Sequence, residues 1–143
     1  SSVRAQPLNP QSPLIIIPGG GQAIEREGNF LLLPHHSPFY HPDLITASNA
    51  VISKIGYSTI AETYLAGIPF GYITRPSFRE SPMLEQFVQN QMPSLPFTEK
   101  DFSSPLLADK INKLMTLAPQ KPASVNGAAL TADFIQNRYL ISE

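Results

Sequence analysis

The sequence contains no cysteine, which excludes disulfides, thiolate metal sites and a cysteine nucleophile. This absence is compatible with a reducing compartment, so we expect a cytoplasmic protein. An excess of one charge is also absent: 10 Lys and Arg residues against 11 Asp and Glu residues give a formal net charge of -1, and neither sign is concentrated in one segment. A nucleic-acid-binding surface is therefore not predicted.

Long apolar runs are missing as well. The longest, residues 14–17 and 30–33, are far shorter than the roughly 20 residues that a membrane-spanning helix needs. Residues 1–4 contain no apolar signal-peptide core. We expect a soluble chain without a transmembrane segment, and the abrupt polar start suggests the cut end of a larger protein.

The length of 143 residues corresponds to about one domain, and 42% hydrophobic residues are enough for one buried core. Residues 1–12 hold prolines among polar residues and are predicted to form an extended lead-in. Residues 13–143 are predicted to form a single domain.

Two hydrophobic patterns alternate along this domain. Short apolar runs predict buried strands at residues 13–18, 29–34, 50–53 and 69–74. Helical spacing of apolar residues predicts helices at residues 58–66, 83–91, 106–117 and 130–140, with a proline-rich stretch at residues 93–96. About ten residues separate the first two strands, so we expect a loop or one helical turn there. The alternation predicts an α/β, Rossmann-like three-layer α/β/α domain with one mainly parallel sheet.

The helix at residues 58–66 has the clearest boundaries. Ser58 and Thr59 are candidates for its N-cap. Gly67 is expected just past its end, where a left-handed backbone closes many helices, and Pro69 follows.

Residues 53–62 are the segment that indicates chemistry, because a strand end, a glycine turn and a hydroxyl-rich helix start follow one another there. Gly56 is expected to let the backbone turn sharply and approach a ligand. The unpaired N–H groups at a helix start present roughly half a positive charge to a phosphate, and Lys54, Ser58 and Thr59 can add contacts. The segment therefore predicts an anion site.

Glu62 lies one turn into this helix, several ångströms from the predicted phosphate position. A carboxylate there can accept both hydroxyls of a ribose without lying against the phosphates. The alternative is structural, because residues 59–62 also have the spacing of a capping box, in which Glu62 bonds back to its own helix start. Taken alone, these four residues favour the capping box.

A wider pattern surrounds this segment. Residues 53–62 have the form Ser-Lys-x-Gly-x-Ser-Thr-x-x-Glu, followed by Ala-Gly-Ile-Pro at residues 66–69, Arg-Pro at 75–76 and Phe-Arg-Glu at 78–80. This combination resembles the donor-binding motif in the C-terminal domain of GT-B glycosyltransferases, such as peptidoglycan N-acetylglucosaminyltransferase-like and UDP-glycosyltransferase-like enzymes. The resemblance is close over about residues 30–90.

The resemblance implies that the chain is the donor-binding half of a GT-B fold. In that family a glycine turn and a glutamate six residues later bind the nucleotide diphosphate and the ribose, which is the spacing from Gly56 to Glu62. It assigns the ribose to Glu62, and it assigns the diphosphate to Lys54, Gly56, Tyr57, Ser58 and Thr59.

For the transferred sugar, the resemblance implies Glu80 as the acid that holds its hydroxyls, with Arg79 and Ser81 beside it. The same charged loop can instead form solvated ion pairs. Two positions depart from the family: Lys54 replaces a phosphate-binding His that many plant-type members carry, and Ser81 replaces a common sugar-binding Gln. Lys54 can still bind phosphate, whereas Ser81 leaves the identity of the sugar open.

Four short segments carry a closer resemblance: Pro-Asp-Leu at residues 42–44, Lys-Ile-Gly-Tyr at 54–57, Phe-Arg-Glu at 78–80 and Asn-Gly-Ala at 126–128. They are similar to the glycosyltransferase-like amino-terminal region of plant-type L-arabinokinases, where the fold accompanies a separate sugar kinase. A second interpretation is therefore a non-catalytic module that regulates or anchors a sugar kinase or another partner. A third is a pure interaction domain.

The glycosyltransferase resemblance implies a nucleotide sugar as the bound partner, usually a uridine one, and no cofactor. The helix dipole and Lys54 would stabilise the departing diphosphate without a metal. The acceptor and the general base would come from a missing N-terminal acceptor-binding domain. We therefore expect this chain alone to bind the donor without turnover.

The histidines and Tyr57 have alternative roles. His35 and His36 follow the second predicted strand, near the edge where α/β sheets bind ligands, so they can contact a base or sugar or be ordinary loop residues. A metal site at His35, His36 and His41 would also need a carboxylate such as Asp43, in a geometry that adjacent residues rarely supply, and none is expected. Tyr57 can stack on a base or cover the core.

Overall fold

The structure, a computed structural model, describes residues 13–122 and 127–140. The predicted lead-in at residues 1–12 and Asn126 lie outside this part of the chain. The strands are β1 (Ile15–Gly21), β2 (Glu25–Glu27), β3 (Phe30–Pro34), β4 (Val51–Lys54), β5 (Phe70–Ile73) and β6 (Ser94–Phe97). The α-helices are α1 (His41–Thr46), α2 (Tyr57–Ala66), α3 (Ser81–Gln91), α4 (Leu107–Met115) and α5 (Gly127–Ile135). A 3-10 helix covers Glu99–Ser103 and a π-helical turn covers Gln136–Leu140.

The strands form two three-stranded sheets, where the sequence suggested one. The second sheet, in the order β4-β5-β6, is entirely parallel. In the first sheet β1 and β3 are parallel, while β2 pairs with β3 in the antiparallel direction. Ile15 of β1 nevertheless packs against the same hydrophobic cluster as Ile52 of β4. The prediction of mainly parallel pairing is confirmed, although the strands are divided between two sheets.

Strand β5 separates two hydrophobic clusters, because successive side chains of a strand point to opposite faces. One cluster joins the sheet to α2 and α3 and contains Ile55, Ile60, Phe70, Tyr72, Leu84, Val88 and Met92. On the opposite face, Ile73 packs against a cluster built on Phe97 and two α4 residues, Ile111 and Leu114. Helices α2 and α3 therefore cover one face and α4 the other, which confirms the Rossmann-like three-layer α/β/α arrangement.

Two strands were not predicted. The connection between β1 and β3 is not a plain loop or helical turn, because it contains β2, whose sequence Glu-Arg-Glu has no apolar pattern and is fully exposed. The proline-rich stretch forms β6 at the edge of its sheet. Pro96 is tolerated there because proline has no backbone N–H to donate, and an edge strand is paired on one side only. Strand β2 was missed because all three of its residues are exposed. Strand β6 was missed because Pro93 and Pro96 are typical of a loop, although Phe97 of this strand is only 2% exposed.

The start of α2 differs from the prediction, whereas its end agrees with it. The helix starts at Tyr57 with Gly56 as N-cap, so neither Ser58 nor Thr59 holds that position. Gly67 closes the helix in the left-handed conformation, with a φ of 70°. The N-cap was missed because Gly56 has no side chain with which to signal one.

Helix α5 overlaps the helix predicted at residues 130–140, but its large apolar side chains, Leu130, Phe134 and Ile135, are exposed. Its apolar residues therefore have no buried place in this structure. No helix among residues 13–122 and 127–140 is both long enough and apolar enough to pass through a membrane.

Gly71 is required by packing at the centre of the second sheet. A Cβ at this position would lie 2.8 Å from Cε2 of Phe97 and 2.9 Å from Cγ1 of Ile52. Phe97 is only 2% exposed, so its ring has no room to move away. We expect Gly71→Ala to lower the free energy of unfolding by about 1–3 kcal/mol, measured by chemical denaturation.

Gly56→Ala is the matched control for that substitution. Gly56 has an extended backbone, and a Cβ there would have no neighbour within 4 Å. Alanine is a poorer N-cap than glycine, which lowers stability, but it also makes the unfolded chain less flexible, which raises stability. The two effects oppose each other, so the free energy of unfolding should stay within about 0.5 kcal/mol of the parent value. Equal losses in both variants would contradict the packing explanation for Gly71.

Asp101 joins the 3-10 helix to α4. Its Oδ2 accepts the Lys110 ammonium at 2.8 Å, the Thr98 backbone N–H at 2.6 Å and the Thr98 hydroxyl at 2.8 Å. These contacts, that of Lys110 first, lower the pKa of Asp101 to about 2. Lys110 also lies over the ring of Phe97, 4.7 Å from its centre. The carboxylate therefore stabilises the fold in its charged form.

This contribution should depend on pH. It is fully present above the ordinary carboxyl pKa of 3.8 and is lost as the pH falls toward about 2, because the unfolded chain binds the proton more readily. Asp101→Asn should therefore be less stable than the parent at neutral pH, and the difference should shrink in that acidic range. Denaturation curves across the range measure it, with the exposed Asp109→Asn as control. A pH-independent difference would contradict the prediction.

Candidate functional site

In the part of the chain that the structure describes, no side-chain hydrogen bond caps the start of α2. Gly56 provides no side-chain cap, and the first turn contains no acidic residue. The first N–H groups of a helix have no partner within it, so these donors point outward with the positive end of the helix dipole. Ser58 is exposed and Thr59 half-buried beside them. This arrangement suits an anion.

The capping-box interpretation of Glu62 is wrong. Within the part of the chain that the structure describes, its carboxylate does not bond to the start of α2. Instead, Oε2 of Glu62 lies 3.3 Å from Nδ1 of His41 on the neighbouring helix α1. The Glu62 side chain keeps 31% of its surface exposed, so the carboxylate remains accessible to a ligand.

Neither backbone conformation nor packing requires glycine at position 56. The expected sharp turn is absent, because its φ of -166° and ψ of 148° describe extended backbone that any residue adopts. The space around it is open, since an added Cβ would meet nothing within 4 Å. Gly67 and Gly71 differ, because one has a positive φ and the other lies in the packed sheet. The missing side chain at Gly56 therefore leaves room next to the helix start.

Parallel pairing brings this turn beside the loop that follows β5. Lys54 is in register with Ile73, and the backbone N–H of Ile55 donates to the carbonyl of Ile73 at 2.9 Å. Lys54 is exposed at this carboxyl edge. Open α/β sheets commonly bind ligands at such an edge. Tyr57 is 59% exposed and therefore does not cover the core; its stacking on a base stays a prediction.

The loop after β5 brings together the residues predicted to bind the sugar. Ser81 is 3% exposed, and its hydroxyl accepts the backbone N–H of Arg75 at 3.1 Å, so it orders the loop. The Arg75 guanidinium lies 4.5 Å from the centre of the Phe78 ring. Glu80 is the half-buried N-cap residue of α3, and Arg79 is exposed. Sugar binding by this loop stays a prediction.

A cleft of about 280 Å³ lies at the carboxyl ends of β1 and β3. Its lining residues are Pro18, Gly19, Leu33, Pro34, His35, Ser37, Phe39, His41 and Leu44. The ring of His35 lies against Gly19, where a Cβ would come within 3.1 Å of it, and Gly19 has a positive φ of 72°. His36 is exposed and is not part of this lining. The structure therefore separates the two adjacent histidines.

His41 was considered from the sequence only as a metal ligand, and its contact with Glu62 was not predicted. It lines the cleft and also bonds to Glu62, so it connects the first sheet's carboxyl edge with helix α2. The two residues are 21 positions apart, and no local pattern links them. Among the described residues, no group of three His, Asp or Glu side chains has the arrangement to hold a metal ion.

Comparisons with known proteins give one informative likeness. No family model matches the chain, and no solved structure matches it. The sequence is similar to L-arabinokinase of Arabidopsis thaliana, with 26% identity over 127 residues, or 89% of this chain. The chain spans only 12% of the length of that relative. The likeness supports a relationship to part of a sugar-kinase protein and is compatible with a sugar-related function.

Proposed function

We propose that this chain is a donor-binding domain that holds a nucleoside diphosphate sugar, most simply a uridine one, for transfer of the sugar to an acceptor. The observation that carries the proposal is the uncapped start of α2 beside the open position of Gly56. Lys54 lies two residues before that opening. The oxygens of a diphosphate would accept hydrogen bonds from the N–H groups at this helix start, and their negative charge would neutralise the positive end of the helix dipole.

Glu62 is placed to bind the ribose of such a ligand. It lies six residues beyond Gly56, which corresponds to about 9 Å along a helix. At that distance the carboxylate does not lie against the phosphates, so repulsion between them is small in water. A ribose attached to a diphosphate at the helix start spans a similar length.

The remaining groups would hold the two ends of the ligand. The cleft of about 280 Å³ lies just below the roughly 300–1,000 Å³ of sites for drug-sized ligands, so it would hold one part of a nucleotide sugar, such as the base. His35 would contact that base. At the other end, Arg79 and Glu80 follow β5 and would meet the hydroxyls of the sugar.

The proposed chemistry is transfer with a diphosphate leaving group. The start of α2 and Lys54 would stabilise the charge that develops on the diphosphate as the bond to the sugar breaks. A separate acceptor-binding domain would supply the acceptor and the base that deprotonates it. This chain alone would therefore bind the donor and would not turn over.

A second function, that of a non-catalytic module beside a sugar kinase, is favoured by the likeness to L-arabinokinase. In that case the domain would regulate or anchor its neighbour, with or without retained nucleotide affinity. Substitution of Lys54 in the full-length protein separates the two functions. Loss of sugar transfer from a nucleotide sugar supports the transferase, whereas changed kinase activity without any transfer supports the module.

Glu62→Ala should weaken binding of UDP. Loss of a charged acceptor for ribose hydroxyls removes hydrogen bonds of about 1.5–3 kcal/mol each, so we expect at least about a tenfold rise in Kd by calorimetric titration. The exposed Glu99→Ala is the matched control and should bind like the parent. The donor-site proposal would be contradicted if the parent protein bound no UDP or if the Glu62→Ala variant had an unchanged Kd.

Gly56→Ala should separate folding from binding. Its methyl group has free space in the unliganded protein, but it would occupy the approach to the helix start, so UDP affinity should fall at least tenfold (about 1.4 kcal/mol) while stability is kept. Full UDP affinity in Gly56→Ala would place the diphosphate elsewhere.

Lys54→Ala should also weaken UDP binding, and the loss should be larger at low salt, where charges are less screened. The exposed Lys100→Ala is the control and should leave UDP binding unchanged.

A further inference from the structure

We propose that His41 is a positioning residue that fixes the Glu62 carboxylate for the ribose; this inference rests on the nucleotide site proposed above. Nδ1 of His41 and Oε2 of Glu62 are 3.3 Å apart. Among the described residues, His41 is the hydrogen-bond partner of the Glu62 carboxylate. A glutamate without such a partner samples many rotamers, and binding a ligand must then order it.

The backbone of α1 gives His41 a defined place from which to act. The helix carries a proline in its first turn, and Ile45 is 4% exposed in the interior. The Ser48 hydroxyl donates to the carbonyl of Leu44 at 2.6 Å, which fastens the end of the helix. The His41 side chain is 54% exposed, so it has little role in the core. Because the His41 ring is exposed and its helix is anchored, we infer that the ring orients the neighbouring Glu62 side chain and contributes little to packing.

The hydrogen bond leaves Glu62 able to bind ribose. A carboxylate has about four acceptor positions, and the donated hydrogen from Nδ1 occupies one of them. Oε1 and the second position on Oε2 remain for the two ribose hydroxyls. His41 also lines the cleft at β1 and β3, so the proposed ribose site lies next to the proposed base site. The positioning role concerns the ribose hydroxyls alone, since His35 is the group assigned to the base.

The test compares UDP with its 2′,3′-dideoxy analogue, which lacks the hydroxyls that Glu62 would bind. Ordering one rotamer-rich side chain corresponds to about a fivefold change in affinity. We expect His41→Ala to raise the Kd for UDP about fivefold and to leave the Kd for the analogue unchanged. His41→Asn, whose amide can replace the Nδ1 donor, should restore UDP affinity.

Controls separate positioning from general damage. Asn49→Ala, exposed just beyond α1, should match the parent with both nucleotides. In the Glu62→Ala background, His41→Ala should have no further effect on UDP binding. If His41→Ala does not fold, His41→Leu takes its place, because it keeps an apolar side chain without a donor.

Each outcome decides the inference. Equal weakening of both nucleotides, unchanged UDP binding in His41→Ala, or a failure of His41→Asn to restore it would overturn the positioning role while the nucleotide site stands. Parent protein that binds neither nucleotide would instead overturn the proposed site, and the role of His41 with it. The ribose-specific loss, restored by Asn, is the result that supports it.

Discussion

The parallel pairing of β4 with β5 is the constraint on which the candidate site depends. It sets Lys54 against Ile73, and the bond from the Ile55 N–H to the Ile73 carbonyl closes the ladder at that edge. Because parallel strands end on the same side, the turn before α2 and the loop after β5 begin next to each other. The proposed diphosphate and sugar contacts are neighbours for this reason, although about twenty residues separate them in the chain.

Three glycines differ in whether the fold itself requires them. Gly67 has a positive φ, and Gly71 leaves space for Phe97 and Ile52, so both are explained by the structure itself. Gly56 has extended backbone and open surroundings. The open space at Gly56 lies beside the N–H groups at the start of α2, so a bound molecule would have room to approach these donors there. This contrast, more than the sequence motif, supports the donor-site proposal.

The first sheet contributes through helix α1. Its carboxyl edge forms the cleft that contains His35 and His41, and His41 connects that cleft to Glu62. Under the proposed function, one elongated ligand would contact both sheets, with the base at the first sheet and the diphosphate at the second. The likeness to L-arabinokinase covers 89% of this chain and 12% of that relative.

Hydrophobic periodicity in the sequence determined the layers, because the strands and helices that build the core must repeat with fixed spacing. It predicted α2, α3, α4 and the strands β1, β3, β4 and β5, although β1 has no buried residue and was expected to be buried. The glycine and proline after α2 predicted the left-handed Gly67. Periodicity missed helix α1, the exposed strand β2 and the proline-containing strand β6, and it misjudged the start of α2. Only tertiary structure decided between the capping box and the bond to His41, because that choice depends on how α1 packs against α2, and no local pattern records it.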